Sequence, residues 1–243
     1  FLLLGHPADY SFINDERELA STDLEKVFIG HPKYSDRWLC ELKEKSMIFR
    51  SSISTRSKIN ILVLSRGSGT YLDDESHCNS VETAIRGIDL QIENYNLFVK
   101  KHPREQNSHW DVVANKNPSI KIVDDHMMNI ATSVDFVISF WGSGAMDCYA
   151  LGVPVIELYD PNTHSKQQVL HETGFTTIYR LLGLVLPANN QEELVDAISI
   201  LKRNNYALPS LEPHSFYSEL INMSNKWNRP IEKILVSHNL INR

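Results

Sequence analysis

The stretch Ile59-Asn60-Ile61-Leu62-Val63-Leu64, which runs straight into Ser65-Arg66-Gly67-Ser68-Gly69-Thr70, decides the fold. A near-continuous apolar run of this length leaves no face for water. It reads as a strand buried on both sides, the condition of strands in parallel sheets. The change to small and polar residues at Ser65 marks the strand's carboxyl end. A helix follows over Ser76–Ile92, where Val81, Ile85, Ile88 and Ile92 recur at helical spacing.

Outward from this unit the same grammar repeats. Strands are expected at Asn96–Lys100, Ile120–Val123, Asp135–Ser139, Val153–Leu158 and Val185–Pro187. Between them lie helices at His109–Ala114, Met127–Ser133 and Gly142–Leu151, and a last one runs from the capping Asn190 through Glu192 and Glu193 to Arg203. Strand and helix alternating across short loops require right-handed crossovers. The expected fold is therefore α/β, a Rossmann-like parallel sheet with helices on both faces, over residues 58–205.

The flanks read differently. Residues 1–57 are expected to be the end of an N-terminal domain plus an interdomain linker. They comprise a short strand at Phe1–Gly5, the acidic segment Asn14–Glu25, the apolar run Val27-Phe28-Ile29, a helix over Ser35–Lys45 and the serine-rich Arg50–Ser57. Residues 206–243 read as a helical tail that packs back or crosses to another domain. The Gly-His-Pro tripeptides at Gly5 and Gly30 have unlike flanks and read as two strand-end turns, not a repeat. The chain opens on an apolar strand without Met, so the expectation is a fragment whose upstream domain is missing.

Bulk properties exclude several classes. The 243 residues, 42% hydrophobic and 22% charged, suit an ordinary globular chain. A net charge of -6 gives no electrostatic support for non-specific nucleic-acid binding. The scattered Cys40, Cys78 and Cys148 match no metal spacing and fit a reducing compartment. Ten histidines come without an HExxH or paired CxxC pattern, so no metal is expected. Nothing approaches the roughly 20 apolar residues of a membrane span.

In a parallel α/β sheet, ligands gather at the carboxyl ends of the strands, so the residues after each strand carry the functional reading. At Arg66-Gly67-Ser68-Gly69, spaced glycines let backbone N–H groups approach a phosphate; the bland alternative is a flexible connection. Lys100-Lys101-His102-Pro103-Arg104 gathers cations and a histidine held by proline, which suits a phosphate-bearing ligand; alone it is a solvated basic loop. In Ser139-Phe140-Trp141-Gly142-Ser143-Gly144-Ala145-Met146-Asp147, the backbone donors of Gly142, Ser143 and Gly144 and the Ser143 hydroxyl open a helix, as phosphate sites do. Asp147, one turn in, can reach a ribose; the alternative makes Ser143 a plain N-cap. Glu157 and Asp160, following Val153–Ile156, either order a loop, contact a sugar or are solvated. Ser143 lacks the G-x-S-x-G spacing of a hydrolase nucleophile, and Cys148 reads as core. His126, His164 and His171, in or beside helices, read as packing or surface histidines.

Taken together, Lys101-His102-Pro103, Ser139-Phe140-Trp141-Gly142-Ser143 and Gly152-Val153-Pro154-Val155-Ile156 resemble the C-terminal, donor-binding domain of GT-B glycosyltransferases. The likeness is to bacterial surface-polysaccharide types: sialyltransferase-like, Kdo-transferase-like and glycerophosphotransferase-like families. Residues 1–57, with Ile29-Gly30-His31-Pro32, resemble the junction from the N-terminal domain. The resemblance implies transfer of a sugar from a nucleotide-activated donor, CMP- or CDP-linked among the options, onto a glycan or lipid-linked acceptor in capsule or lipopolysaccharide synthesis. It implies His102, with Pro103, and Ser143 at the donor phosphate and Asp147 at the ribose. It also implies a catalytic base in the N-terminal domain, no separate cofactor, and a cytoplasmic place at the inner face of the membrane, with peripheral association through missing parts. Two departures stand out: Gly142-Ser143 replaces a frequent Ser-Ser pair, and Asp147 stands where Glu is usual. Two other readings remain. One is an epimerase of the UDP-N-acetylglucosamine 2-epimerase type, although paired Glu residues after the turn are absent. The other is a non-catalytic GT-B-like module.

Overall fold

The computed structural model describes residues 2–4, 26–53, 58–69, 72–105, 108–163, 169–171, 174–209 and 215–237. Its elements in chain order begin with β1 (Leu2–Leu4), β2 (Lys26–Phe28), a 3-10 turn at Pro32–Tyr34 and α1 (Asp36–Ile53). There follow β3 (Ile59–Leu64), α2 (Asp74–Gln91), β4 (Tyr95–Lys100), α3 (His109–Lys116), β5 (Ile120–Ile122), α4 (Met127–Ala131), β6 (Phe136–Ser139), α5 (Gly144–Ala150) and β7 (Val155–Leu158). The series ends with β8 (Val169–His171), β9 (Gly174–Thr176), α6 (Ile178–Leu181), β10 (Leu186–Ala188), α7 (Gln191–Arg203), α8 (Ser215–Ser224) and α9 (Asn228–Ser237). Contacts divide the chain into Leu42–Glu212 and a unit made of Phe1–Glu41 with Pro213–Arg243.

In Leu42–Glu212 six parallel strands lie in the order β10-β7-β6-β3-β4-β5. The chain builds outward from β3 to β5, returns to β3's other side with β6, and proceeds to β10. The winding thus reverses between β3 and β6, and this is the doubly wound, Rossmann-like order that opens a crevice at that point. Side-chain alternation explains why β3 is apolar at every position but one. Ile61 and Val63 join Leu97, Val99, Phe136, Ile138, Ile156 and Leu158 in a core with α2 (Val81, Ala84, Ile88) and α7 (Leu194, Ala197, Ile198, Leu201). Their neighbours Leu62, Phe98, Val137 and Val155 are just as buried on the opposite face, where α4 and α5 bury Met128, Ile130, Ala131, Ala145 and Cys148. Each such side chain contributes roughly 1.5–3 kcal/mol by leaving water. The one polar residue inside β3, Asn60, is offset by accepting a bond from Asn96 Nδ2 at 2.9 Å.

Capping fixes where the helices begin. Asp73 accepts from Ser76 N at 2.7 Å and starts α2 two residues before the expected position. Asn190 accepts from Glu193 N at 3.0 Å while Glu193 Oε2 accepts from Asn189 N at 2.9 Å, a reciprocal cap on α7.

Several segments differ from the sequence reading. The serine-rich linker is helical through Ile53, as the last turn of α1, and its remaining residues lie outside those described. The packing boundary falls within α1: Leu42 and Ser46 are buried with the sheet, and Ser46 O accepts from Ser133 Oγ at 3.2 Å. His171 sits in β8 of a small antiparallel hairpin with β9, not beside a helix. Asn14–Glu25, the Gly5 turn and His164 lie outside the described residues. In the second unit β1 pairs in parallel with β2, His31 N donates to Ser224 Oγ at 3.0 Å, and the tail forms two helices, α8 and α9. No described helix is long and apolar enough to cross a membrane.

Candidate functional site

Strand register brings the site together. Leu64 of β3 lies level with Lys100 of β4 and Ser139 of β6, and Ser139 lies level with Glu157 of β7. Two residues further along each chain stand Arg66, His102, Trp141 and Tyr159. On the outer side β5 pairs Ile122 with Val99, which puts Asp125 in step with His102. A row of polar and aromatic residues thus crosses the carboxyl edge of the sheet over the switch between β3 and β6.

Over this edge opens a cavity of about 620 Å³, within the 300–1,000 Å³ range of small-molecule sites. Leu64, Ser65, Arg66, Lys100–Pro103, Asp124–Met127, Ser139, Trp141–Gly144 and Asp147 line it. Most of the residues singled out from the sequence meet here: Arg66, Lys101, His102, Pro103, Ser139, Gly142, Ser143, Gly144 and Asp147. Gly67, Ser68 and Gly69 instead border an adjoining recess of about 230 Å³, with Arg66 and His102 forming the wall between the two spaces.

The basic loop after β4 is less available than its composition implies. Lys101 Nζ binds both carboxylate oxygens of Asp111, at 2.9 and 3.1 Å, and Lys100 Nζ donates to Asp124 O at 3.0 Å. His102 is better placed. Its Nδ1 accepts from Arg104 N at 3.2 Å, so the neutral ring carries its proton on Nε2. Burial, then the Arg66 and Arg104 charges, hold its pKa below the ordinary histidine value, against an opposing pull from Glu105. The imidazole is therefore neutral at pH 7 and a donor at Nε2.

The turn after β6 is built for close approach. Trp141 has φ 69°, a conformation that costs a bulky residue energy. Its ring is held between Arg66, whose guanidinium carbon lies 5.2 Å from the centroid, and Tyr159 and Tyr179 at 6.2 and 6.1 Å. Two glycines follow for different reasons. A Cβ on Gly144 would meet Leu64 Cδ1 at 2.7 Å, so this glycine lets α5 start against β3. A Cβ on Gly142 would meet nothing within 4 Å; packing does not require glycine there. Among the described residues no hydrogen bond engages the N–H of Gly142 or Ser143, and the Ser143 hydroxyl makes no capping bond. Ser143 thus occupies the N-cap position of α5 with helical backbone angles and without a side-chain capping bond.

Behind the cavity lie two buried polar clusters that sequence reasoning did not assemble. In one, Glu105 accepts from Ser65, Ser108 and the His102 backbone. In the other, wholly buried Glu157 pairs with Arg180 at 2.7 Å and accepts from Thr177 Oγ1 at 2.7 Å. Burial raises the Glu157 carboxyl pKa although Arg180 and Thr177 oppose the shift. It also pushes the Tyr159 and Tyr179 hydroxyls up to about 12. Glu157 therefore neither contacts solvent nor reaches the cavity, and Asp160 closes its own loop by accepting from Asn162 N at 2.9 Å. His126, read from sequence as packing or surface, lines the cavity and caps α4. Asp124 and Asp125 beside it were missed because β5 is short and its end was not treated as a strand end of interest; the same strand-end rule would have found them.

No protein-family model matches the chain, and no curated protein sequence matches it. Solved structures do. The chain superposes on the UDP-GlcNAc 2-epimerase of Methanocaldococcus jannaschii, in complex with UDP-GlcNAc and UDP, with a TM-score of 0.60 at 15% identity, covering 96% of this chain and 61% of that one. A putative UDP-N-acetylglucosamine 2-epimerase from Listeria monocytogenes gives 0.56 at 14% identity, over 94% and 57%. The wall teichoic acid polymerase TagF, soaked with CDPG, gives 0.52 at 13% identity, over 97% and 59%. The chain spans about three fifths of the length of these proteins. At such identities the likeness is one of fold alone, an α/β Rossmann-like parallel sheet flanked by helices.

Proposed function

We propose that this chain carries the donor-binding part of a glycosyltransferase that uses a nucleotide-activated sugar. One observation carries the reading: at the switch point, the unengaged N–H groups of Gly142 and Ser143 and the His102 Nε2–H border one cavity. Backbone donors, a hydroxyl and a neutral imidazole are suited to the oxygens of a diphosphate. In this reading Ser139, Gly142, Ser143 and Gly144 hold the phosphates from one side. His102, positioned by Pro103, and Arg66 hold them from the other, with Lys101 and the Gly67–Gly69 loop at the margin. Asp147 accepts from the ribose. The catalytic base belongs to residues outside this unit, the acceptor is a glycan or lipid-linked glycan, and the donor supplies all the chemistry a cofactor would. The superposed proteins bound to UDP-GlcNAc or soaked with CDPG support a sugar-nucleotide ligand of this class.

Calorimetric titration of the chain with CMP, CDP, UDP and GDP tests this. Binding of at least one, abolished by the His102→Ala and Ser143→Ala double variant, is expected. Absence of binding to all four would overturn it.

A second reading is favoured by a separate observation. Asp124, Asp125 and His126 bring proton-transferring groups into the same cavity, which an epimerase requires and a pure donor site does not. Conversion of UDP-N-acetylglucosamine to its epimer, with no acceptor present, would establish it over transfer.

A further inference from the structure

We propose that Glu105 is the positioning residue of the candidate site: its buried carboxylate locks the loop after β3 to the loop after β4, so that Arg66 and His102 face the ligand at a fixed separation. The inference rests on the donor-site reading for its functional meaning, and on geometry for the clamp itself.

The Glu105 side chain is fully buried. Its Oε1 accepts from Ser65 Oγ at 2.9 Å on the β3 side and from Ser108 Oγ on the β4 side. Its Oε2 accepts from the backbone N–H of His102 at 3.2 Å, while its own N–H donates to His102 O at 2.8 Å. The turn His102–Glu105 is thereby closed twice, once by backbone and once by carboxylate. Ser65 Oγ in turn accepts from Trp110 Nε1 at 3.1 Å, anchoring the clamp to a fully buried indole.

His77 completes the arrangement. Its Nδ1 donates to Arg66 O at 3.0 Å, and its Nε2 accepts from His109 N at 3.3 Å and lies 3.7 Å from Glu105 Oε1. The backbone of each cavity-facing residue is therefore held: Arg66 through its carbonyl, His102 through its N–H. Gly67 shows how tightly the two loops meet, because a Cβ there would collide with Glu105 Cγ. The glycine that looked like a phosphate-approach position is required first by the clamp.

A carboxylate is a costly way to hold two loops, since a buried charge must recover its hydration from every partner it has. Its partners here sit at the carboxyl edge of the sheet, around residues facing the cavity and its recess. A carboxylate at this place also adds negative potential at His102, countering Arg66 and Arg104. An apolar filler would hold the loops without that effect.

The experiment uses the 243-residue chain and the variants Glu105→Gln and Gly67→Ala, with Glu105→Asp in reserve should the first fail to fold. The His102 ring proton is followed by NMR across pH in the ligand-free protein, with His102→Gln as the assignment control. UDP, CDP and CMP are then titrated by calorimetry. In Glu105→Gln the His102 midpoint is expected to move down, because the group favouring the charged ring is gone. Nucleotide affinity is expected to fall roughly tenfold, the effect of losing one charge-assisted contact. In Gly67→Ala the affinity falls with the carboxylate still present. A folded Glu105→Gln protein with an unmoved His102 midpoint would overturn the clamp, as would wild-type affinity in both variants. If the unaltered chain binds no nucleotide, the donor-site reading fails, and the clamp stands or falls on the His102 midpoint alone.

Discussion

Replacing Arg180 by Met tests the buried ion pair next to the cavity. The guanidinium donates from Nε to Glu157 Oε2 at 2.7 Å, from Nη1 to Asn189 Oδ1 at 2.8 Å, and from Nη2 to the carbonyls of Tyr159 at 2.6 Å and Glu157 at 3.3 Å. One side chain thus ties the end of β7 to the loop after β10. Methionine keeps much of the apolar stem and removes every donor, leaving a wholly buried carboxylate with Thr177 Oγ1 as its remaining partner. Breaking a buried pair in this way costs about 3–5 kcal/mol. For a unit of this size that corresponds to a melting temperature lower by roughly 6–20 °C. The sign with pH follows from the direction of the Glu157 shift. Burial holds its folded pKa above the ordinary carboxylate value, and loss of Arg180 raises it further. An acid with a raised folded pKa binds its proton more tightly when native, so relative stability is greatest in acid and is lost as pH rises through the folded pKa. The deficit of Arg180→Met should therefore be largest at pH 8 and shrink toward pH 5. The double variant Glu157→Leu with Arg180→Met, which removes both charges, should recover most of it. Thermal unfolding by circular dichroism at several pH values measures all of this. A variant that melts with the unaltered protein at pH 8, or a deficit constant across pH, would refute the reasoning.

Four further outcomes are expected. In the proposed donor site a bound diphosphate would place negative charge beside His102, whose free pKa is held low, so binding of UDP or CDP should take up a proton and tighten as pH falls from 8 toward 5.5; calorimetry in buffers of different ionisation enthalpy detects the proton, and His102→Gln abolishes the trend. Gly142→Val should bind no nucleotide yet melt within a few degrees of the unaltered protein, because its Cβ meets nothing. Gly144→Val should lose about 1–3 kcal/mol of stability in chemical denaturation by pressing on Leu64. Asn190→Ala, which removes the cap whose Oδ1 accepts from Glu193 N, should cost about 1 kcal/mol in the same assay.

How much of this was legible in the sequence depends on whether the information was local. The four inner strands were, because burial on both faces makes β3, β4, β6 and β7 short, largely apolar runs, and β3 is the plainest case. The hairpin of β8 and β9 was not: Gly174-Phe175-Thr176 is largely exposed and has no apolar period to read. The end of α1 was missed for the opposite reason, since Arg50-Ser51-Ser52 has loop composition yet continues a helix begun at Asp36. The buried clusters are invisible in one dimension. Ser65 and Glu105 are 40 residues apart, and Thr177 and Glu157 are 20 apart, and nothing in either neighbourhood marks these polar residues as partners.

The candidate site falls between these cases, and strand register explains why. Aligning the strand ends by their last apolar residues would have placed Arg66, His102, Asp125, Trp141 and Tyr159 in one row, because parallel strands of a twisted sheet deliver their following residues to a common edge. Reading each loop alone singles out Arg66 and His102 of this row together with the conspicuous glycines and Lys101. Two of those choices have structural explanations, Gly67 against Glu105 and Lys101 on Asp111. Trp141 carries a direct physical sign, a positive φ on a bulky residue stabilised by Arg66 and two tyrosines. Holding that ring fixes the backbone that leads into Gly142 and Ser143. The N–H groups of the turn are therefore held in one orientation, and the cost of the Trp141 conformation is offset by the aromatic cluster and the Arg66 guanidinium.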